Sequence, residues 1–389
     1  MNVALVIERT EPWRGGAETS TQQFMQHVLS MGHQVEIFTR SRLSPAPGIK
    51  VHTLSSPART RAGRTASFSR AVDRRLADAD VDVVHAISPC LRADIYEPRG
   101  GTVVETIARN LALRRSGPGR SLKRLANRFN FRQRLMLDLE RRLLLRRPGP
   151  IVVAISDYVV RQLRTHYNFP ESQIARIFNG VDPDNTEEAR RAHNRREIRG
   201  LYGIGQDDLL VLVVAHNFKL KGVPRWIEAL RRLARGTTLH LRSLVVGRGS
   251  PVRWQRLAAA AGVGDRIQFT GPTRRIAAFY HAADVLVHPT YYDPCSRVVL
   301  ESMVAGLPCV TTRYDGASEM MENGVSGFVL DSPEEVDELA RRVQQLADRE
   351  VRLEMGRRAA RAGQQASMRR HAEQIAALYE QIAERRAAV

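Results

Sequence analysis

Asp293 and Glu301 stand eight positions apart in the segment His288–Pro308, where Pro294, Cys295 and Ser296 separate a strand-like run from an apolar helix. A turn of this make-up delivers backbone N–H groups at a helix N-terminus, where the peptide dipoles favour an anion such as a diphosphate. One carboxylate can accept hydrogen bonds from sugar hydroxyls and the other from a ribose. Those are the requirements of a nucleotide sugar. Each residue also has a plainer use. Asp293 beside Pro294 could simply form a turn, and Glu301, among Val298, Val299, Leu300 and Met303, could be an exposed helix position. The run Ala305-Gly306-Leu307-Pro308 ends that helix and leads into a strand at Cys309–Thr312.

A second loop, His216-Asn217-Phe218-Lys219-Leu220-Lys221-Gly222, adds a cation. The chain contains 56 arginines and four lysines, and two of the four lie here. A compact ammonium suits a phosphate, so Lys221 is expected to bind one, with Lys219 a lesser candidate and loop solubility the plainer account. In Arg14-Gly15-Gly16-Ala17-Glu18, Gly15 and Gly16 would let the backbone approach a phosphate or sugar, although an ordinary glycine turn reads the same. Asp94 and Arg99, in the segment ADIYEPRGG, are the acceptor-site candidates.

Strand–helix alternation must position these loops. Val3–Glu8, Val35–Thr39, Val83–Ala86 and Ile151–Ile155 read as strands, and Ser156-Asp157 as the cap of a helix over Tyr158–His166. The pattern breaks at IFNGVD and the polar stretch Pro183–Arg199, the expected passage between domains. It then restarts with strands at Leu209–Val214, Leu244–Val246, Ile267–Phe269 and Val285–Val287, and a helix at Val223–Leu233. Ser332-Pro333-Glu334-Glu335 has the form of a capping box, and from there to Val389 the chain reads as helical. The expected fold class is α/β: two doubly wound parallel-sheet domains, 1–180 and 181–370, with a C-terminal helix at 371–389 packing back on the first. Such sheets bind ligands at their strand carboxyl ends, which places the chosen loops across a shared cleft.

Bulk properties set bounds. With 389 residues, 43% hydrophobic and 26% charged, the chain has room for two cores. No run approaches the length of a spanning helix. MNVALVIERTEPWRGG turns acidic too soon for a signal peptide and reads as a first core strand. Cys90, Cys295 and Cys309 lack metal-ligand spacing and fit a reducing compartment. The net charge of +19 implies an acidic partner. Residues 99–147 hold fourteen Arg or Lys against Glu105, Asp138 and Glu140, with leucines and phenylalanines interleaved. A solvated helical face and a surface for anionic lipid or a phosphorylated glycolipid both fit this stretch. Nucleic acid fits less well, for want of a recognisable module.

The phrase DPCSRVVLESMVAGLPCVTT, with KGVPRWIEAL before it and YDGASEMMENGVSGFVL after it, resembles the retaining GT-B glycosyltransferases of family 4. RGGAET, AISDYV, IFNGVD, VVGRG and IQFTGP extend the resemblance over nearly the whole chain. Within the family, the basic N-terminal half and the order of elements are most similar to lipopolysaccharide-core glucosyltransferases. The resemblance implies two Rossmann-like domains facing across a cleft, and a nucleotide-sugar donor, UDP-glucose by first expectation. It further implies a lipid-linked or envelope glycan acceptor, and work at the cytoplasmic face of the membrane. Two glutamates seven residues apart are the family's donor signature. Glu301 matches the second, implying ribose contact, and Asp293, one methylene shorter, replaces the first, implying contact with donor-sugar hydroxyls. Ser296 stands where the family often has glycine, and Ser296, Arg297 and Val298, after Cys295, would offer backbone amides to the diphosphate.

Lys221 matches the family's phosphate lysine. Its accompanying arginine is absent, since His216 and Leu220 occupy the two places for it, and Lys219 is the available substitute. No metal or other cofactor is implied, although Asp78-Ala79-Asp80 formally matches the metal motif of the other glycosyltransferase fold. Rival readings are a nucleotide-sugar epimerase of similar shape and a basic protein binding nucleic acid or an anionic surface.

Overall fold

Short runs of Val, Ile and Leu, too brief for helices and covered on both faces, form the strands. A computed structural model describes residues 1–10, 16–43, 46–113, 130–236 and 239–387, with the backbone alone at 16–18 and 387. The chain divides into two compact units, Met1–Asp182 with Met368–Val389, and Pro183–Ser367.

The first unit holds a seven-stranded parallel sheet in the order β3-β2-β1-β4-β5-β6-β7. Its strands are β1 (Asn2–Val6), β2 (Gln34–Thr39), β3 (Ile49–Thr53), β4 (Val83–Ala86), β5 (Ile95–Tyr96), β6 (Ile151–Ala154) and β7 (Ile174–Arg176). The helices are α1 (Gly16–Ser30), α2 (Arg61–Ala77), α3 (Val103–Ala112), α4 (Phe131–Leu144) and α5 (Asp157–Tyr167). Ser156 caps α5 by accepting from the Val159 N–H. The chain returns to this unit at Met368, a little before the boundary read from sequence, as the last helix (Met368–Ala387). That helix lays Ile375, Ala376, Tyr379 and Ile382 into the core formed by Val3, Leu5, Phe24, Val28 and Ile37.

In the second unit the sheet order is β10-β9-β8-β11-β12-β13, again parallel throughout. It comprises α6 (Glu188–Leu201), β8 (Leu209–Val214), α7 (Val223–Gly236), β9 (Leu241–Val246), α8 (Pro251–Ala260), β10 (Ile267–Gly271) and α9 (Ile276–Ala282). Then follow β11 (Val285–Val287), α10 (Arg297–Val304), β12 (Cys309–Thr312), β13 (Phe328–Leu330), α11 (Val336–Gln345) and α12 (Arg349–Gly363), and the helix at Met368 becomes α13. Trp226, Ile227 and Leu230 of α7 bury their faces against Val211, Val213 and Val245.

Two expectations need correction. Most of Pro183–Arg199 is helix α6, not a passage. Its Arg195 and Arg199 both reach Asp284 and the Ala282 carbonyl, tying it beneath the sheet. Ser332 does not cap a helix: α11 starts at Val336, and Glu335 reaches back to the Asp331 N–H at 3.1 Å. The C-terminal stretch is helical as expected, in three helices, the first break falling where Asp348 takes the N–H groups of Glu350 and Val351.

Candidate active site

Strand order reverses between β8 and β11, the point in an open parallel sheet where the loops after two neighbouring strands part to either side. The loops leaving these strands are His216–Gly222 and His288–Ser296. Gly222 sets their approach, with φ of +73° and a Cβ there falling 2.0 Å from the Pro289 carbonyl oxygen. No other residue could stand so close. The Tyr291 N–H donates to the Leu220 carbonyl at 2.9 Å, and Thr312 Oγ1 holds the Thr290 carbonyl at 2.7 Å.

The consequence is an ion pair. Lys221 Nζ donates to the Asp293 carboxylate and, at 3.2 Å, to the Tyr292 carbonyl. An ammonium has three donors, so these two contacts leave a third for a further acceptor. Backbone bonds fix Asp293, whose N–H donates to the Tyr314 carbonyl at 2.8 Å and whose carbonyl accepts from Gly316 at 2.9 Å. Buried His288 brings Nε2 to 3.6 Å from the same carboxylate. Burial opposes charge on Asp293, but Lys221 and then His288 outweigh it and hold the carboxyl below the usual range. Burial also lowers His288, which leaves its ring neutral at pH 7.

Helix α10 opens beside this pair. Ser296 does not offer its amide outward as expected: that N–H donates to Asp315 Oδ1 at 3.0 Å. Asp315 also accepts from the Ala317 N–H and Thr311 Oγ1, each at 3.0 Å, so a buried carboxylate already caps the helix. Burial and the Asp293 charge push the Asp315 carboxyl up. Arg297 and Val298 occupy the first turn, where no intrahelical acceptor reaches the N–H groups. Farther along α10, Glu301 accepts from Tyr280 at 3.0 Å and from Arg297 at 3.1 Å. Two carboxylate oxygens take about four hydrogen bonds, so capacity remains for vicinal hydroxyls.

The structure thus brings Lys221 and Asp293 together and sets Arg297, Val298 and Glu301 on one short helix. His216 and Lys219 are exposed on the Lys221 loop, and Cys295 is buried in the turn. Gly15 lies outside the described residues, and Gly16 is the first residue of α1. Sequence reasoning missed His288 and Asp315. Their positions just past β11 and β12 were the available signal, since such loops carry the site in this architecture.

Asp94 and Arg99 are corrected. Strand β5 begins after Asp94, which puts this residue at the amino end of the sheet. There it accepts from the Val84 N–H at 2.8 Å and pairs with Arg386 at 2.7 and 2.8 Å. Arg99 is buried, donating to Glu97 at 2.8 and 2.9 Å and to Thr21 at 2.9 Å. At the carboxyl end of β1 stands Glu8 instead, with Arg40 at 2.9 Å and Arg132 at 3.6 Å.

Residues 194–366 match the family described as glycosyl transferases group 1, and residues 14–185 match Glycosyltransferase Family 4. With its two parallel-sheet units, the chain belongs to the GT-B glycosyltransferases of these groups. It is 25% identical to lipopolysaccharide glucosyltransferase WaaG of Escherichia coli (strain K12), over 88% of this chain and 89% of that protein. A D-inositol 3-phosphate glycosyltransferase of Geodermatophilus obscurus is 31% identical over 61% of this chain and 55% of its own. Among solved structures, WaaG superposes with a TM-score of 0.82 at 22% identity, over 97% of this chain and 99% of that one. Anabaena Alr3699/HepE, solved with UDP and glucose, gives 0.71 at 19% identity over 97% and 98%.

Proposed function

We propose that the protein moves a hexose, with glucose the first candidate, from a nucleoside-diphosphate sugar to a lipopolysaccharide-core or other lipid-linked envelope glycan, with retention of configuration. The observation that carries this reading is the Lys221–Asp293 pair at the strand-order reversal, beside the first turn of α10. UDP is the proposed nucleotide, supported by the UDP and UDP-glucose complexes of the structural neighbour HepE. The glycan acceptor is supported by the likeness to WaaG, a lipopolysaccharide glucosyltransferase.

In this mechanism Glu301 accepts from the ribose hydroxyls and Asp293 from hydroxyls of the transferred sugar. The bond from the anomeric carbon to the diphosphate oxygen breaks, and its electron pair leaves with the phosphate. Lys221 and the α10 amides of Arg297 and Val298 neutralise the charge growing there, so no metal is required of the reaction. The acceptor hydroxyl attacks from the same face and gives its proton to the departing phosphate oxygen.

The test is thermal-shift binding of UDP-glucose, UDP-N-acetylglucosamine, GDP-mannose and ADP-heptose, followed by transfer assays with the donor that stabilises. Glu301→Ala and Lys221→Ala should abolish transfer in folded protein, and a chelator should leave the rate unchanged. Full activity in both variants sinks the site assignment. Donor consumption without acceptor replaces transfer by epimerisation.

On the acceptor side, Arg40 and Arg132 take the place of Asp94 and Arg99 as groups that would meet a phosphorylated glycan. No helix among the described residues is long and apolar enough to cross a membrane. Residues 114–129 of the basic stretch lie outside the described residues. Phe131 beyond them is 68% exposed and starts α4, an exposed aromatic next to a run of cations. This stretch holds the enzyme peripherally at the cytoplasmic face, each cation near an anionic surface contributing about 1 kcal/mol. Co-sedimentation with phosphatidylglycerol vesicles should be strong and lost at high salt. Equal binding to phosphatidylcholine vesicles would refute the charge argument.

A further inference from the structure

Two glycines flank Arg248 in the loop after β9, and each presses that loop against the segment leading from β8 to Lys221. Gly247 has φ of +135°, and a Cβ there would lie 1.9 Å from the Ala215 carbonyl oxygen. At Gly249 a Cβ would meet the Phe218 ring at 2.7 Å. The Ala215 N–H donates to the Val246 carbonyl at 2.9 Å, and the Gly247 N–H to the Gly271 carbonyl at 2.9 Å. Phe218 is itself fixed, its ring centroid 6.2 Å from that of Trp254 and 5.8 Å from that of Phe269. Arg248 is therefore anchored on both sides against the loop that carries His216 and Lys221.

The electrostatics of His216 register the same neighbourhood. Partial burial of its ring, then the charges of Arg248 and Lys221, lower its pKa, although the residue as a whole stays exposed. Arg225, Arg275 and Arg297 of the same unit each pair with a carboxylate. Among the described residues, no carboxylate and no hydrogen-bond acceptor is paired with exposed Arg248. Arg248 and Lys221 thus both act on the His216 ring, and of these two cations Lys221 has a carboxylate partner in Asp293.

We propose that Arg248 is the second cation on the donor diphosphate, delivered from the loop after β9 to do the work of the arginine missing beside Lys221. The inference rests on the reading that a nucleoside diphosphate binds at Lys221. A guanidinium suits the task because its planar fork meets two phosphate oxygens at once. His216, at one of the places open to that arginine, leaves room on the Lys221 loop for a cation arriving from the neighbouring one.

Calorimetric titration of the full chain with UDP, GDP, ADP and the three nucleosides tests this. For the diphosphate that binds, Arg248→Ala should weaken affinity about ten- to a hundredfold, as loss of a charged hydrogen-bonding group does. Arg248→Lys should recover part of the loss, and affinity for the matching nucleoside should stay as in the wild type. Arg256→Ala, which removes an exposed arginine of α8, should bind like the wild type and so exclude a general charge effect. If the wild type binds a diphosphate and Arg248→Ala binds it equally well, the inference is wrong while the functional reading stands. An equal loss for nucleoside and diphosphate also overturns it, because the residue would then serve the base. A wild type that binds none of the diphosphates removes the functional reading and the inference together.

Discussion

Asp293 keeps its charge against its surroundings, and that makes it sensitive to acid. Its carboxyl titrates lower in the folded protein than in the unfolded chain, where about 4 is usual. A group depressed in this way contributes stability in full above the unfolded value and loses it as pH falls towards the folded one. The melting temperature of the wild type should therefore fall faster between about pH 5 and 3 than that of Asp293→Asn. Parallel curves would show that Lys221 does not hold the charge. Asp293→Glu restores one methylene and should shift the preference between donors that differ at one hydroxyl by roughly ten- to two-hundredfold, measured as a ratio of kcat/KM values. Asp293, Glu301 and Lys221 were legible as candidates, through residue type, loop position and the family resemblance, and folding pairs Lys221 with Asp293. His288 and Asp315 were not, since each acts through a residue that only folding brings near. Ser296 was misread for the same reason, its amide being taken by a carboxylate nineteen positions on.

At the scale of elements, the strands that were legible are the buried ones, where uninterrupted apolar runs allow one reading. Edge strand β3 carries Lys50 and His52, and β5 spans two residues, so neither announces itself. Helix α6 was hidden by its polarity. Its contribution comes from Arg199, fully buried, which joins Asp284 and the carbonyls of Ala282 and Asp208. Asp284 immediately precedes β11, so this clamp sets the amino end of the strand whose carboxyl end carries His288 and Asp293. Arg199→Ala removes the buried one of the two arginines that ion-pair with Asp284 and should cost about 3–5 kcal/mol in urea unfolding. A loss below about 1 kcal/mol would mean that apolar packing alone seats the helix.

For the whole molecule, the return of the chain to its first unit raises the question of what fastens α13 there. Apolar contact accounts for part of it, but the centre of the attachment is polar and buried. Glu97 lies between Arg99 at 2.8 Å, His85 at 3.2 Å and His371 at 3.3 Å, and Tyr379 of α13 bonds His85 at 2.7 Å. Burial works against charge on Glu97, and Arg99, then the two histidines, hold it well below the usual carboxylate range. Burial likewise lowers His85. Both groups titrate lower folded than unfolded, so both contributions are complete above about pH 6.5. As pH falls, the share of His85 is lost first, from about 6.5 downwards, and that of Glu97 below about 4.3. Glu97→Gln removes the carboxylate paired with buried Arg99 and should cost about 3–5 kcal/mol. Each unit has its own core, so scanning calorimetry should show the loss in one transition, and a nucleotide bound at the site proposed around Lys221 should raise the other. If the substitution and the nucleotide move a single common transition, the two units unfold together, and the attachment of α13 stabilises the proposed donor site as much as the sheet it covers.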